Sequence, residues 1–277
     1  MTTNTPAKIN LCLDIIRKRA DGYHELDMIM HEIPLYDIVT VEKSDGISLT
    51  CDIPDIPCDH TNIACKAALE FFKFTNINGG AKIHIQKEIP HGAGLGGGSS
   101  DGAAVIKLLN ELYNAGLTNE QMEEIGLKIG ADVPFFIQGG CAIAQGIGEK
   151  LIKLPEISGV YILLVKPDFS INTKWAYSQI DFKKFPQHIS TAKIADAVKS
   201  NNISYIAKNT FNMLETAVNN KDIENIKATM KLGGADGAIM SGSGSCVFGL
   251  FSDKGKAELC KKEFENNVNF TKLLQMV

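Results

Sequence analysis

The fold of this chain is decided by the stretch Pro90-His91-Gly92-Ala93-Gly94-Leu95-Gly96-Gly97-Gly98-Ser99-Ser100-Asp101, where five of the seven residues from 92 to 98 are glycine. Upstream, residues 81–87 alternate apolar and polar side chains, which predicts a strand with Ile83 and Ile85 facing inward. Downstream, apolar residues recur at helical spacing from Val105 to Leu112. Successive small residues let backbone N–H groups converge on an anion, and a helix N-terminus adds about half a positive charge. The stretch therefore predicts a phosphate-binding loop between a strand and a helix.

This loop differs from the two best-known phosphate loops. The dinucleotide fingerprint has similar glycine spacing but continues from its helix into a strand that ends in an acidic residue. Here the next segment carries a capping box, Thr118 with Gln121, and is predicted to be another helix. A Walker A loop requires a lysine, which this loop lacks, so backbone dipoles, Ser99, Ser100 and a metal ion are expected to neutralise the phosphate. A tight turn without a ligand is the alternative, although such a turn needs only one or two glycines.

Composition limits the classes of protein to which the chain can belong. It has 277 residues, 44% of them hydrophobic, a net charge of −4 and a pI near 5.9. The acidic balance argues against a broad nucleic-acid surface, and no apolar run approaches the ~18 residues of a membrane span. The first ten residues lack the apolar stretch of a signal peptide, and seven cysteines without a CxxC pair indicate reduced thiols. We expect a cytoplasmic protein with a small-molecule substrate and no nucleic-acid, membrane or obligate protein partner.

The order of predicted elements indicates an α+β protein with two domains. Strands are predicted over residues 9–15, 37–42, 47–51, 81–87, 160–165 and 247–251. Helices are predicted after Thr61 as N-cap, before Gly130 as C-terminal stop, and over residues 191–199, 203–218, 222–231 and 254–265. The pattern restarts near residues 155–159, and at ~150 residues per domain the length allows two domains.

Four further motifs accompany the glycine loop: PAKIN at residues 6–10, RADGYH at 19–24, GADVPFF at 130–136 and SGSGSCVF at 241–248. Together they resemble the kinase superfamily that contains galactokinase, homoserine kinase, mevalonate kinase and phosphomevalonate kinase. The chain is most similar to the branch that phosphorylates a cytidine diphosphate-linked polyol, and the resemblance extends over almost its whole length. It implies a ribosomal protein S5 domain 2-like N-terminal domain over residues 1–157 and a ferredoxin-like domain over 158–277.

The resemblance also implies an activity and a catalytic pair. The expected enzyme uses ATP and Mg²⁺ to phosphorylate the 2-hydroxyl of a cytidylyl methylerythritol, in the non-mevalonate route to isoprenoid precursors. Asp132 matches the catalytic base, and Lys8 matches the lysine that holds this carboxylate ionised and helps to bind the acceptor hydroxyl. Without the motifs, we would interpret Asp132 as an acidic residue of a surface loop and Lys8 as a solvated lysine, because charged residues are mostly exposed. Their motifs favour the catalytic roles.

By the same resemblance, ATP is expected to bind along the whole glycine stretch from Pro90 to Asp101. Asn62 and Lys87 match adenine-side contacts, and Ser99 matches a ligand of the metal ion. Many family members have asparagine at the position of Asp101, and a carboxylate cannot donate the hydrogen bonds of that amide. Without the family, Asn62 reads as a helix-start residue and Lys87 as an exposed strand lysine.

The cytidylyl substrate is expected to contact a second set of residues. Tyr23 and Tyr177 match the rings that enclose the cytosine, and His24 matches the residue that reads its polar edge. The remaining members are Asn10, Thr173, Gly242, Ser243 and Gly244. Core packing is the alternative for either tyrosine, and Trp175 is a competing aromatic platform.

Two other functions compete with this prediction. Another kinase of the superfamily, such as a homoserine kinase, would not need the cytosine-binding side chains Tyr23 and Tyr177. A non-catalytic RNA-binding protein is possible because S5-like folds also bind RNA, but it would need a basic face.

Overall fold

The structure is a computed structural model that describes residues 1–182, 190–265, 268 and 270–277. Its strands are β1 (Thr2–Lys18), β2 (His24–Ser44), β3 (Ile47–Cys51), β4 (Gly80–Gln86), β5 (Cys141–Gly146), β6 (Lys150–Leu154), β7 (Val160–Lys166), β8 (Phe211–Asn212), β9 (Gly237–Met240), β10 (Val247–Phe251) and β11 (Phe270–Met276). Its helices are α1 (Ile63–Thr75), α2 (Gly97–Leu112), α3 (Asn119–Ile129), α4 (Val133–Gln138), α5 (Thr173–Ser178), α6 (Thr191–Lys199), α7 (Ile203–Asn209), α8 (Met213–Val218), α9 (Lys221–Leu232) and α10 (Lys254–Lys262).

Local signals account for the elements that lead into and out of the glycine stretch. Strand β4 alternates as predicted, with Ile83 and Ile85 buried and His84 exposed. Helix α3 begins with the predicted capping box of Thr118 and Gln121 and ends at Gly130. These features place the glycine stretch between β4 and α2, and Asp132 between α3 and α4.

Two predicted boundaries are wrong for identifiable reasons. The N-cap of α1 is Asn62 and not Thr61, because the Asn62 side chain accepts a hydrogen bond from the N–H of Ala64. The helix predicted over residues 203–218 is divided into α7 and α8. The intervening strand β8 pairs in parallel with β1, and this long-range pairing interrupts the helix.

The chain divides into two compact units, of which the first comprises residues 1–7, 35–89 and 96–139. In this unit the strand order is β3-β4-β2-β1, and β3 and β4 are parallel. Helices α1, α2 and α3 pack on one another and α2 and α3 also contact α4, with Phe71 and Phe135 fully buried. The unit contains the start of α2 and Asp132.

The second unit comprises residues 8–34, 90–95 and 140–277. One of its sheets has the order β6-β5-β2-β1-β8, and the other has the order β11-β7-β10-β9 with every neighbour antiparallel. Along the chain, helices α5 to α9 and strand β8 separate β7 from β9, β10 follows β9 directly, and α10 separates β10 from β11. Both units combine separate stretches of chain, so the predicted boundary between residues 157 and 158 stays a prediction.

The protein therefore has a mixed α and β fold. Among the helices that the structure describes, none is both long enough and apolar enough to span a bilayer.

Candidate active site

In the first unit, the glycine stretch becomes helix α2. Gly96 is its N-cap at φ 75, and no side chain caps the helix. The first N–H groups of a helix have no acceptor within it, so they are available to an anion. The hydroxyl of Ser100 is buried and has no hydrogen-bond partner among the described residues. This end of α2 thus combines unused backbone donors with an unused hydroxyl.

Ser99, on the first turn of α2, lies close to Gly130, two residues before Asp132. The Oγ atom of Ser99 lies 3.8 Å from the position that a Cβ atom on Gly130 would occupy. Two residues later, Asp132 is the N-cap residue of α4, but its side chain makes no capping hydrogen bond. It is partly exposed. The carboxylate of Asp132 is therefore not used to stabilise its own helix.

A buried charge cluster lies beneath the start of α2. The Lys87 ammonium donates hydrogen bonds to Asp37 and to Oδ2 of Asp101, the latter at 2.8 Å. Thr5 donates to the other oxygen of Asp101 at 3.1 Å. A Cβ atom on Gly97 would come within 3.2 Å of Lys87 Nζ. Lys87, predicted as an ATP contact or an exposed strand residue, is therefore a buried member of this cluster.

The cluster shifts the titration of two of its members. Burial raises the pKa of Asp101 to about 6, although the nearby Lys87 charge acts in the opposite direction. Burial opposes the charge on Lys87, but the carboxylates of Asp101 and Asp37 outweigh it and raise the pKa of this lysine. One cation thus lies between two buried carboxylates.

Asn62, also predicted to contact ATP, is engaged at the start of α1. Its Oδ1 accepts from the N–H of Ala64 at 2.9 Å, and its Nδ2 donates to the carbonyl of Pro57 at 2.8 Å. Any contact with a nucleotide would add to these bonds.

In the second unit, the beginning of the glycine stretch packs on the late glycine loop, residues 241–246. The hydroxyl of Ser241 donates to the carbonyl of Gly94 at 3.1 Å, and the N–H of Cys246 donates to the carbonyl of Ala93 at 3.1 Å. Gly94 has φ 73, and a Cβ atom there would lie 2.1 Å from the carbonyl oxygen of Ser241. Only glycine permits this approach.

Lys8 and Asn10 lie beside that contact, on β1. Lys8 is buried, its N–H donates to the carbonyl of Leu95 at 2.9 Å, and its ammonium donates to Asn10 Oδ1 at 2.5 Å. A Cβ atom on Gly242 would lie 3.1 Å from Lys8 Nζ. The structure thus brings together two predicted substrate residues, Asn10 and Gly242, with the predicted catalytic lysine. Lys8 belongs to the second unit and Asp132 to the first, and their pairing stays a prediction.

Helix α5 carries two further predicted substrate residues, and one of them contacts the late loop. The hydroxyls of Thr173 and Ser243 lie 2.8 Å apart. Gly244, in the same loop, has φ 85.

The predicted cytosine site begins at a tight turn between β1 and β2. Arg19 forms an ion pair with Asp21 at 2.9 Å, and Asp21 accepts from the N–H of Tyr23 at 3.0 Å. Gly22 supplies the left-handed backbone, with φ 89. The turn therefore sets the backbone positions of Tyr23 and His24. The side chain of Tyr23 is exposed.

The His24 ring stacks on Tyr177, with ring centroids 5.2 Å apart and planes inclined by 27°. It also lies 6.3 Å from Phe182 at 26°. Burial, with the nearby Lys18 charge, lowers the pKa of His24, so near pH 7 its imidazole is neutral and can both donate and accept. Phe182 is not among the residues predicted from the sequence. Trp175, the competing platform, is exposed and has no ring contact among the described residues.

Comparison with known proteins identifies the family of this site. The family model described as the GHMP kinases N terminal domain matches residues 62–140, and the GHMP kinases C terminal model matches residues 194–269. The chain belongs to the GHMP kinase family. The first match contains the start of α2 and Asp132, and the second contains the late glycine loop.

Individual proteins that are similar to this GHMP kinase include both curated relatives and solved structures. It is 46% identical over 262 residues to a 4-diphosphocytidyl-2-C-methyl-D-erythritol kinase of Clostridium botulinum (strain Alaska E43 / Type E3), covering 94% of each chain. A crystal structure of 4-(cytidine 5'-diphospho)-2C-methyl-D-erythritol kinase matches all of both chains with TM-score 0.82 and 30% identity. A homoserine kinase from Cytophaga hutchinsonii matches with TM-score 0.79 over 100% of this chain and 94% of its own, but at 19% identity it supports the fold alone.

These findings confirm the resemblance to the kinase superfamily and the prediction of an enzyme. A GHMP kinase uses ATP as a substrate. The roles of individual residues stay predictions.

Proposed function

We propose that this GHMP kinase transfers the γ-phosphoryl group of ATP to the 2-hydroxyl of 4-diphosphocytidyl-2-C-methyl-D-erythritol, in the non-mevalonate route to isoprenoid precursors. The names of the relatives support the substrate, since the clostridial protein shares 46% of its residues over nearly the whole chain. The single structural observation that carries the proposal is the stack of His24 on Tyr177 at 5.2 Å. A ring beside a neutral imidazole suits a cytosine, whereas homoserine has no base to stack.

The residues at the start of α2 fit the binding of ATP and Mg²⁺. Among the described residues, no group of three or more His, Cys, Asp or Glu side chains could hold a metal ion. A metal would therefore be held mainly by phosphate oxygens, with a hydroxyl as the protein ligand, and the unpartnered hydroxyl of Ser100 fits this need, with Ser99 beside it. When bound, Mg²⁺ would neutralise phosphate charge. The N–H groups from Gly97 onward would contact the phosphates.

At the reacting centre, Lys8 and Asp132 have complementary tasks. The acceptor oxygen forms a bond to the γ-phosphorus while the bond from that phosphorus to the oxygen of the leaving ADP breaks. We assign the hydroxyl proton to Asp132, whose carboxylate is not used to cap α4. Lys8 holds the acceptor oxygen. Phosphoryl transfer depends on such positioning and charge stabilisation more than on covalent chemistry.

The substrate side consists of the aromatic cluster and the late glycine loop. Tyr23 and Tyr177 enclose the cytosine, and His24 reads its polar edge. The backbone of Gly242 and Gly244 approaches the diphosphate, while Asn10, Thr173 and Ser243 supply polar contacts. On the ATP side, Asn62 lies by the adenine, and Lys87 and Asp101 support the loop.

The domain assignments are part of the same proposal. The order β11-β7-β10-β9, with helices between β7 and β9 and between β10 and β11, supports a ferredoxin-like domain over residues 158–277. An S5-like domain is proposed for residues 1–157. All seven cysteines are free, which supports a reducing compartment such as the cytoplasm.

A phosphorus NMR assay tests the activity. With ATP, Mg²⁺ and the cytidylyl substrate, a new phosphomonoester resonance and ADP should form in equal amounts. Homoserine, offered as the matched alternative acceptor, should give no phosphomonoester. Turnover of homoserine without turnover of the cytidylyl substrate would replace the proposed function with that of the competing kinase.

A further inference from the structure

Asn212 uses both ends of its side-chain amide, although it belongs to none of the motifs. It is 3% exposed, and its Oδ1 accepts from the N–H of Leu214 at 2.9 Å, which caps helix α8. Its Nδ2 donates to the carbonyls of Met240 at 2.8 Å and Gly242 at 2.7 Å. A helix cap requires only the first of these bonds. The other two tie a distant segment to the start of α8.

The two carbonyls that Asn212 holds flank Ser241, the first residue of the late glycine loop. Within the same loop, a Cβ atom on Gly242 would lie 3.1 Å from Lys8 Nζ, and the Ser241 hydroxyl donates to the carbonyl of Gly94. The position of Asn212 is in turn set by its pairing with Leu13 of β1, the strand that carries Lys8. One amide thus connects the loop to the strand of the catalytic lysine.

Glu215, one turn into α8, is a second anchor for the same segment. Its Oε2 accepts from the N–H of Met240 at 2.6 Å, and its Oε1 pairs with Lys227. The N–H and the carbonyl of Met240 are therefore both held from α8, but only Asn212 reaches Gly242.

We infer that Asn212 is a positioning residue, which holds the Gly242 backbone against Lys8 so that the ammonium and the late loop keep their places for phosphoryl transfer. The inference rests on the proposed function. It requires that replacing the amide nitrogen lowers turnover even when the cap of α8 is kept.

The variant Asn212→Ser separates the cap of α8 from the hydrogen bonds to the late segment, because serine is an equally good N-cap but cannot donate to both carbonyls. Asn202→Ser is the matched control, since Asn202 caps α7 in the same unit by accepting from the N–H of Tyr205 at 3.1 Å. We expect kcat with the cytidylyl substrate to fall about 5- to 100-fold in Asn212→Ser, as for two lost hydrogen bonds. The KM for ATP should change less than about threefold, and Asn202→Ser should match the wild type.

Amide hydrogen exchange tests the anchor without any assay of activity. In Asn212→Ser, exchange at residues 242–244 should accelerate at least about tenfold while that of β10 is unchanged. Wild-type kcat together with wild-type exchange in this variant would overturn the inference. If wild-type enzyme fails to phosphorylate the cytidylyl substrate, the proposed function fails, whereas the exchange result still decides whether Asn212 anchors the loop.

A measurement on the unaltered protein covers the case in which Asn212→Ser does not fold. The side-chain amide protons of Asn212, buried and bonded to two carbonyls, should exchange far more slowly than those of the exposed Asn202. Equal exchange rates for the two side chains would overturn the inference.

Discussion

The two glycine segments of this protein are supported by different chemistry. At the start of α2, Lys87 forms ion pairs with the buried carboxylates of Asp37 and Asp101. At the late loop, the neutral side-chain amide of Asn212 donates to the carbonyls of Met240 and Gly242. Removing one partner from a buried ion pair leaves an uncompensated charge, so ionic support depends on every member of the cluster. An amide keeps its donors at every pH. At Gly242 the late loop is therefore held by a neutral group, whereas the start of α2 is held by ions. Met240, just before the late loop, is held both by Asn212 and by the ion-paired carboxylate of Glu215.

The largest expected effects come from the two residues proposed for the reacting centre, Asp132 and Lys8. Asp132→Asn should lower kcat by ~10²–10⁴ without unfolding the protein, since it removes the proton acceptor but keeps the size of the side chain. Lys8→Ala should cause a comparable loss. Steady-state kinetics with both substrates provides the test. Near-wild-type turnover in Asp132→Asn would remove Asp132 from the mechanism, and a rise in the ATP KM alone for Lys8→Ala would assign Lys8 to the ATP side.

Removal of the central cation should break the ionic support of α2. Lys87→Met leaves two buried carboxylates without their counter-ion, so the free energy of unfolding should fall by about 3–5 kcal/mol. The control is Lys82→Met on β4, where the lysine is 63% exposed and 3.5 Å from Glu42, and where less than about 1 kcal/mol is expected. Urea unfolding of both variants measures the difference. Equal losses would mean that the cluster contributes no more than a surface pair.

Where the first glycine segment packs on the late loop, we expect stability to depend on steric contact and not on charge. Gly94→Ala adds a Cβ atom 2.1 Å from the Ser241 carbonyl at φ 73, which should destabilise the protein by about 2–4 kcal/mol. Gly98→Ala is the matched change four residues later, where the Cβ atom would meet only Ile63 Cδ1 at 3.6 Å. Its effect on stability should stay within about 0.5 kcal/mol. Similar thermal midpoints for the two variants would contradict the close approach at Gly94.

On the substrate side, a variant of Tyr177 tests how much stacking on the cytosine contributes to substrate binding. Tyr177→Ala should weaken the cytidylyl substrate by about 5- to 150-fold, the equivalent of ~1–3 kcal/mol of stacking, and leave ATP affinity unchanged. Tyr177→Phe should be nearly silent because stacking needs the ring and not the hydroxyl. Calorimetric Kd values for both ligands decide the matter. A variant that loses ATP, or that binds the cytidylyl substrate normally, would make Trp175 the next candidate.

Local signals were sufficient to predict much of the fold around these residues. The alternation in β4, the capping box at Thr118 and the stop at Gly130 each depend on neighbours within four residues, and each is confirmed. Thr61 was the wrong cap, because two adjacent residues could both cap and the choice depends on packing. The division of residues 203–218 depends on the pairing of β8 with β1, about 200 residues away in sequence.

The candidate site was predicted from motifs, and the contacts that support it were not. Lys87 is 50 residues from Asp37, and Asn212 is 28 and 30 residues from the carbonyls it holds. No periodicity or spacing rule links such positions. Phe182 and Asn212 therefore enter the description only through the structure, whereas Lys8, His24 and Tyr177 could be named from the resemblance to the family.

The smallest expected effect concerns the protonation of the ionic support. In the folded protein burial raises the pKa of Asp101 from 3.8 to about 6, so between these values the folded state binds more protons than the unfolded state. The stability contributed by this group is therefore complete below about pH 4 and is lost as the pH rises through 6. Two full pKa units correspond to about 3 kcal/mol, but we expect about 1–2 kcal/mol because the titration of Asp101 depends on the nearby Lys87 charge. Asp101→Asn removes the titration, so its stability relative to wild type should improve by that amount between pH 4 and pH 7. Urea unfolding at several pH values measures the trend, and a relative stability that is flat or falls with pH would show that Asp101 stays ionised beside Lys87 throughout.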